Sequence, residues 1–123
     1  MFKRLLLAFL VCLLPVAVRA ETKVISFSDL KNCPLCEVIE RNWRSQPVRD
    51  LLSKLRRPRV YIDVADPKNR NVVREAKVDR WPTTFLVEVN KDNQVTHIYR
   101  RHVGAMTVKQ LTEFVQVPAS DSP

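Results

Sequence analysis

Two cysteines lie three positions apart in this chain of 123 residues, at Cys33 and Cys36, and one further cysteine, Cys12, lies near its start. A disulfide that closes so short a loop removes little freedom from the unfolded chain, so it cannot stand in for a hydrophobic core. The fold must therefore depend on its own apolar packing. The pair itself is typical of a dithiol that opens and closes as its chemistry proceeds.

The first twenty residues have the pattern of a secretory signal peptide. Lys3 and Arg4 precede an apolar run over residues 5–18, and residues 18–20 suit a signal peptidase. Because the run is shorter than the ~20 residues that span a bilayer, cleavage is favoured, and a retained membrane anchor is the alternative. Cleavage would leave a periplasmic protein with a single cysteine pair. Such a pair in an exported protein indicates thiol chemistry more than structural stapling.

The net charge of +8 belongs partly to this leader. Removing its three basic residues lowers the 21 basic residues to 18 against 13 acidic ones, which leaves +5. Five arginines suggest a basic face, but no aromatic-rich nucleic-acid motif accompanies them; they are Arg56, Arg57, Arg59, Arg100 and Arg101. We therefore expect no nucleic-acid partner. The length fits one domain over residues 21–116, followed by a flexible tail over residues 117–123.

Strand and helix patterns alternate along the predicted domain. Strands are predicted at residues 23–28, 59–64, 83–89 and 95–103. Helices are predicted from residue 34 to a break at residues 45–47, from that break to residue 58, after Asp66, and after Thr107, which forms a capping box with Gln110. The predicted buried faces are Leu35, Val38, Ile39 and Trp43 on the first helix, Val48, Leu51, Leu52 and Leu55 on the second, Val72, Val73 and Ala76 on the third, and Val108, Leu111, Phe114 and Val115 on the last.

The order β-α-β-α-β-β-α predicts an α/β domain with a four-stranded mixed sheet. A right-handed crossover makes the first two strands parallel, and the last two strands form an antiparallel hairpin. Helices would cover both faces. Gly104, the only glycine, is expected where the backbone needs a positive φ or a close approach.

The cysteine pair would begin the first helix. Pro34 suits the first helical position, and the helix dipole would favour a thiolate at Cys33, the predicted attacking sulfur. Cys36 would resolve the mixed disulfide. Glu40 lies four residues beyond Cys36 on the same helical face and is the candidate proton acceptor, whereas Glu37 and even Glu40 could be ordinary solvated residues.

A second constellation is Trp81-Pro82-Thr83, which precedes the third predicted strand. An X–Pro bond takes the cis form readily, and a cis Pro82 would place this segment beside the cysteines to meet an extended substrate. The alternative is a trans proline that simply begins an edge strand. Pro34, Leu35, Trp81, Pro82 and Thr83 are the candidate substrate-binding residues.

Taken together and in this order, these motifs resemble the thioredoxin superfamily over about residues 23–116. The third matching segment, residues 102–106 with the capped helix after it, is similar to the thioredoxin C-terminal stretch. The resemblance implies the thioredoxin fold and a thiol–disulfide oxidoreductase.

Within the superfamily, the chain is more similar to the C-terminal domain of DsbD and related exported proteins. That group shares a broken helix, here at residues 45–48, and an acidic residue at the position of Glu40, and it implies a periplasmic thiol reductant. The chain departs from thioredoxins at Asn32, where they have tryptophan, and in its Pro-Leu dipeptide. Their buried first-strand aspartate would fall near Phe27 or Ser26 and is absent.

Two other classes of function compete with an oxidoreductase. A zinc module could use Cys33, Cys36, His97 and His102, but the two histidines, five apart on a predicted strand, would point to opposite faces. A non-catalytic binding or chaperone module of an envelope assembly would leave the cysteine pair without a use. The favoured hypothesis has no metal or cofactor, acts as a monomer, and takes as partners protein thiols and disulfides, including a membrane or periplasmic redox partner.

Overall fold

The computed structural model describes residues 20–116. Its elements are β1 (Glu21–Ser28), α1 (Pro34–Trp43), α2 (Gln46–Leu55), β2 (Arg59–Asp63), a 3₁₀ turn (Pro67–Asn69), α3 (Arg70–Glu75), β3 (Thr83–Val89), β4 (Val95–Val103) and α4 (Val108–Phe114). The predicted order is confirmed. The predicted leader, apart from its last residue, and the predicted tail lie outside the described residues. Between residues 20 and 116, none of the helices has the length and apolar character to cross a membrane.

The four strands form one mixed sheet in the order β2-β1-β3-β4. β1 runs parallel to β2 and antiparallel to β3, and β3 pairs antiparallel with β4. The chain leaves β1, forms α1 and α2, and returns to β2, which is the crossover that a parallel pair requires. The predicted α/β class and four-stranded sheet are therefore confirmed.

Apolar side chains pack on both faces of the sheet. One cluster joins the sheet to α1, α2 and α4, and it includes Val24, Trp43, Val48, Leu86 and Leu111. Leu51, Leu52 and Leu55 pack against it from α2, as predicted. On the other face, Phe27, Phe85 and Val87 are buried and α3 contributes Val73, with Ala76 just beyond its end. Helices therefore cover both faces of the sheet. The first cluster lies on the face that α1 covers, and α1 begins at the cysteine pair.

The predicted buried stripe of α1 is only half right. Leu35 is 55% exposed and Val38 is 39% exposed, whereas Ile39 and Trp43 are buried with Cys36 and Glu40. The inward positions therefore follow the spacing 36, 39, 40 and 43, and a turn of about 100° per residue carries Leu35 and Val38 outward. Val72 on α3 is exposed in the same way.

Several of the arginines in the predicted basic face also tie elements together. Arg56, Arg100 and Arg101 are exposed, and the basic face stays a prediction. Arg57 donates to the carbonyl of Val115, and Arg100 donates to the carbonyl of Glu113 at 3.5 Å. Both acceptors lie at the carboxyl end of α4, where the helix dipole favours cations. Arg101 donates to the carbonyl of Lys77 at 3.1 Å.

The segment before α4 contains the only glycine of the chain and the N-cap of the helix. Gly104 has φ of 105°, in the region that side chains rarely adopt, although a Cβ there would meet nothing within 4 Å. The prediction that the backbone needs either a positive φ or a close approach at Gly104 is confirmed by the positive φ. Thr107 and Gln110 form the predicted capping box.

Candidate redox-active site

The two cysteines occupy the amino-terminal end of α1. Cys33 is the N-cap residue, Pro34 follows at the first helical position, and the Cys33 sulfur accepts the backbone N–H of Cys36 at 3.1 Å. The Cα atoms of Cys33 and Cys36 are 5.2 Å apart, and their sulfurs are within disulfide-bonding reach. Cys33 is half-buried, whereas Cys36 has no exposed surface. A partner can therefore reach only the first sulfur of the pair.

The Trp81–Pro82 segment lies against Cys33. The peptide bond between Trp81 and Pro82 is cis, and the carbonyl oxygen of Trp81 is 3.7 Å from the Cys33 sulfur. Gly104 donates its N–H to the carbonyl of Pro82 at 2.7 Å, and the Thr83 hydroxyl donates to the carbonyl of Arg80 at 2.6 Å. The Trp81–Pro82 segment therefore contacts the Cys33 sulfur on one side and is held by the backbone of Gly104 on the other.

The expected substrate-binding residues divide into a rim and an anchor. Pro34, Leu35 and Trp81 are exposed beside Cys33, whereas Pro82 and Thr83 are buried. The rim offers an apolar surface next to the reachable sulfur, and the buried pair fixes the start of β3. That these five residues bind substrate stays a prediction.

Glu40 has a partner that the sequence did not reveal. Its carboxylate accepts two hydrogen bonds from the Arg59 guanidinium, at 2.7 and 2.8 Å, and Arg44 approaches it at 3.5 Å. The Arg59 guanidinium also lies 5.4 Å from the centre of the Trp43 ring. A two-pronged charged contact of this kind is strong, and protonating Glu40 would break it. A role for Glu40 as proton acceptor stays a prediction.

Arg59 reaches Glu40 because of the strand register. It pairs with Val24 in the parallel β1–β2 ladder, and Val24 belongs to the cluster beneath α1. Neighbouring residues of parallel strands point to the same face, so Arg59 points toward α1. Its charge and position at a strand start were visible in the sequence, but the register was not.

Asp29 is the second residue that sequence reasoning missed. It is buried at the end of β1, and its backbone N–H donates to the Cys36 sulfur at 3.5 Å. Its carboxylate accepts the N–H groups of Lys31 and Asn32 at 3.1 and 3.3 Å. An aspartate followed by a short polar connection is a turn signal, and this signal could have found it.

Tyr61 points to the same face of the sheet as Arg59, because the two residues are two positions apart on β2. It pairs with Ser26 of β1. Its hydroxyl donates to the carbonyl of Ser28 at 3.5 Å. Burial raises the pKa of the Tyr61 phenol above its ordinary value, and the negative charge of Asp63 adds to this shift. The phenol therefore stays neutral at physiological pH beside the carboxylates of this region.

His97 and His102 lie on one face of the sheet but far apart along it. β4 carries register shifts, so His97 pairs with Glu88 and His102 with Thr84, two residues of one face of β3. The expectation that the histidines point to opposite faces is therefore wrong. They are still separated by four residues of β3, about 13 Å. Within residues 20–116, no group of three or more His, Cys, Asp or Glu residues could hold a metal.

Comparison with solved structures identifies the fold as that of thioredoxin. No family model and no curated protein sequence matches the chain. A thioredoxin from Thermus thermophilus is 18% identical, with a TM-score of 0.63 over 78% of this chain and 72% of that one. The C-terminal domain of Neisseria meningitidis DsbD, in its reduced form, is 14% identical, with a TM-score of 0.56 over 81% of this chain and 83% of that one.

A third structure, thioredoxin-2 of a malaria parasite, is 18% identical, with a TM-score of 0.60 over 79% of this chain and 82% of that one. These likenesses define a protein of the thioredoxin fold, and the likeness to the DsbD domain is confirmed at that level. The fold and the Cys33–Cys36 pair together support a role like that of a thiol–disulfide oxidoreductase.

Proposed function

We propose that this chain is an exported thiol–disulfide oxidoreductase that reduces disulfides in partner proteins of the periplasm. The observation that carries the proposal is the contrast between the two sulfurs. Cys33 is reachable at the start of α1, and Cys36 is fully buried directly behind it. An asymmetric pair of this kind separates an attacking sulfur from a resolving one.

The reaction proceeds in two exchanges. The Cys33 thiolate, stabilised by the N–H of Cys36 and by the helix dipole, attacks one sulfur of a partner disulfide. The other partner sulfur leaves and takes up a proton. Cys36 then loses its proton and attacks Cys33, which releases the second partner sulfur. Overall the partner gains two electrons and two protons, and the chain ends with its disulfide closed.

Direction and location are inferred from the sequence. Residues 1–20 have the pattern of an export signal, and the resemblance to the DsbD group favours a reductant. Such a protein needs a second partner to reopen its disulfide, and a membrane or periplasmic electron donor would serve. The two exchanges proposed above use the sulfur atoms of Cys33, Cys36 and the partner.

The reduction potential tests the direction. We expect equilibration with glutathione to give a reduction potential of about −270 mV, as for thioredoxin, and insulin to be reduced when dithiothreitol recycles the protein. A potential of about −120 mV would make it an oxidant instead. Failure to form any mixed disulfide with glutathione would exclude exchange chemistry and favour the non-catalytic binding module.

The apolar rim should matter for protein substrates more than for small ones. Replacing Trp81, which is 41% exposed, by alanine should lower kcat/KM for a protein disulfide by about tenfold, because an aromatic contact is lost, and should change the rate with glutathione little. Ile98 is 53% exposed on β4 and pairs with Val87, toward the end of β3 that lies away from Trp81, so Ile98→Ala is the matched control. Equal losses in the two variants would show that the rim does not bind substrate.

A further inference from the structure

Asp29 makes two kinds of contact, one to the resolving sulfur through its backbone and one to the following turn through its side chain. Its backbone N–H donates to the Cys36 sulfur at 3.5 Å. Its carboxylate points the other way along the chain and accepts the N–H groups of Lys31 and Asn32 at 3.1 and 3.3 Å. The side chain therefore closes the turn that leads to Cys33, and the main chain of the same residue faces Cys36.

The resolving step needs a negative charge on a buried atom. Cys36 has no exposed surface, and burying an unpaired thiolate is unfavourable. A hydrogen bond from a fixed N–H stabilises the thiolate and leaves its charge in place. The nearby carboxylate of Glu40 is occupied by Arg59, whereas the Asp29 N–H is directed at the sulfur.

We infer that Asp29 is a positioning residue for Cys36: its carboxylate fixes the turn, and the turn holds the Asp29 N–H on the resolving sulfur. The inference rests on the proposed function. In the resolving step, the Cys36 thiolate forms a bond to the Cys33 sulfur while the bond from Cys33 to the partner breaks. The partner sulfur accepts the electron pair and then a proton from water, which balances the proton that Cys36 had released.

Three substitutions separate turn geometry from charge. Asp29→Asn keeps an oxygen that can accept both N–H groups, Asp29→Ser keeps a weaker acceptor, and Asp29→Ala keeps none. Each reduced variant is mixed with oxidised glutathione, and release of the second glutathione is followed after acid quenching. We expect Asp29→Ala to slow this release by about tenfold, the effect of one hydrogen bond to a charged atom.

Asp29→Asn should release the second glutathione at a rate within about twofold of the wild-type rate. The rate for Asp29→Ser should lie between those for Asp29→Asn and Asp29→Ala. The rate of alkylation of Cys33, measured with Cys36 also replaced by serine, should be the same in all of them. A rate for Asp29→Asn as low as that for Asp29→Ala would assign the effect to the carboxylate charge and overturn the inference. So would a wild-type rate in Asp29→Ala.

Thermal unfolding monitors the fold of every variant. If Asp29→Ala does not fold, Asp29→Ser is compared with Asp29→Asn, and equal rates in those two overturn the inference. A wild-type protein that binds one glutathione and never releases the second would instead contradict the proposed function, because Cys36 would then not resolve the mixed disulfide.

Discussion

Replacing Cys33 by serine is expected to abolish disulfide reduction, with a loss of about a thousandfold or more, because the attacking thiolate is gone. Replacing Cys36 by serine should have a different outcome. Cys33 can still attack, but the buried position behind it no longer carries a sulfur that can release the partner. Mixed disulfides with native partners should therefore accumulate on the Cys36→Ser variant and be visible on non-reducing gels.

The controls follow from the cysteine count. Each variant is also made with Cys12 replaced by serine, so that no third thiol contributes. The double variant at Cys33 and Cys36 should trap nothing, and a reductant should release every trapped partner. Equal trapping by the Cys33→Ser and Cys36→Ser variants would contradict the assignment of the attacking sulfur, and an absence of trapped partners would count against exchange in the cell.

Replacing Arg59 by methionine is expected to cost about 3 kcal/mol of unfolding free energy, because it leaves the Glu40 charge buried without its partner. The Glu40 carboxylate accepts both of its close charged hydrogen bonds from Arg59. The side chain of Arg59 is only 18% exposed, so water can replace little of that contact. Urea unfolding of the oxidised protein measures the loss.

Arg44 provides a matched control. It approaches the same Glu40 carboxylate at 3.5 Å, but its side chain is 72% exposed. Arg44→Met should therefore cost at most about 0.5 kcal/mol. Adding Glu40→Gln to the Arg59→Met variant should restore much of the stability, since the unpaired charge is removed. Equal losses for Arg44→Met and Arg59→Met would show that burial does not set the strength of this pair.

Local patterns predicted most of the secondary structure. The predicted third and fourth strands match β3 and β4 residue for residue, because runs rich in β-branched and aromatic residues and the turn between them are encoded in adjacent positions. The capping box of Thr107 is equally local. At the site, the spacing of Cys33 and Cys36 and the helix that follows were sufficient to place the pair at a helix start.

Contacts that depend on tertiary register could not be predicted in this way. Arg59 meets Glu40 only because β2 pairs with β1 in one register, and no local pattern fixes that register. Extra residues in β4 put His97 and His102 on one face, against the simple alternation. Leu35 and Val38 look like core residues, but both are exposed, and Leu35 belongs to the rim beside Cys33.

The register shifts in β4 also affect whether a strand of another chain can pair with the edge of the sheet. β4 is an outer strand of the sheet, and irregular pairing interrupts the even row of N–H and C=O groups that a foreign strand would need. For the disulfide exchange proposed above, an edge that does not pair with a partner's strand would confine the contact with the partner to the region around Cys33. We expect this edge strand to disfavour pairing between two copies of the protein. We also expect a partner to dissociate once its disulfide has been reduced.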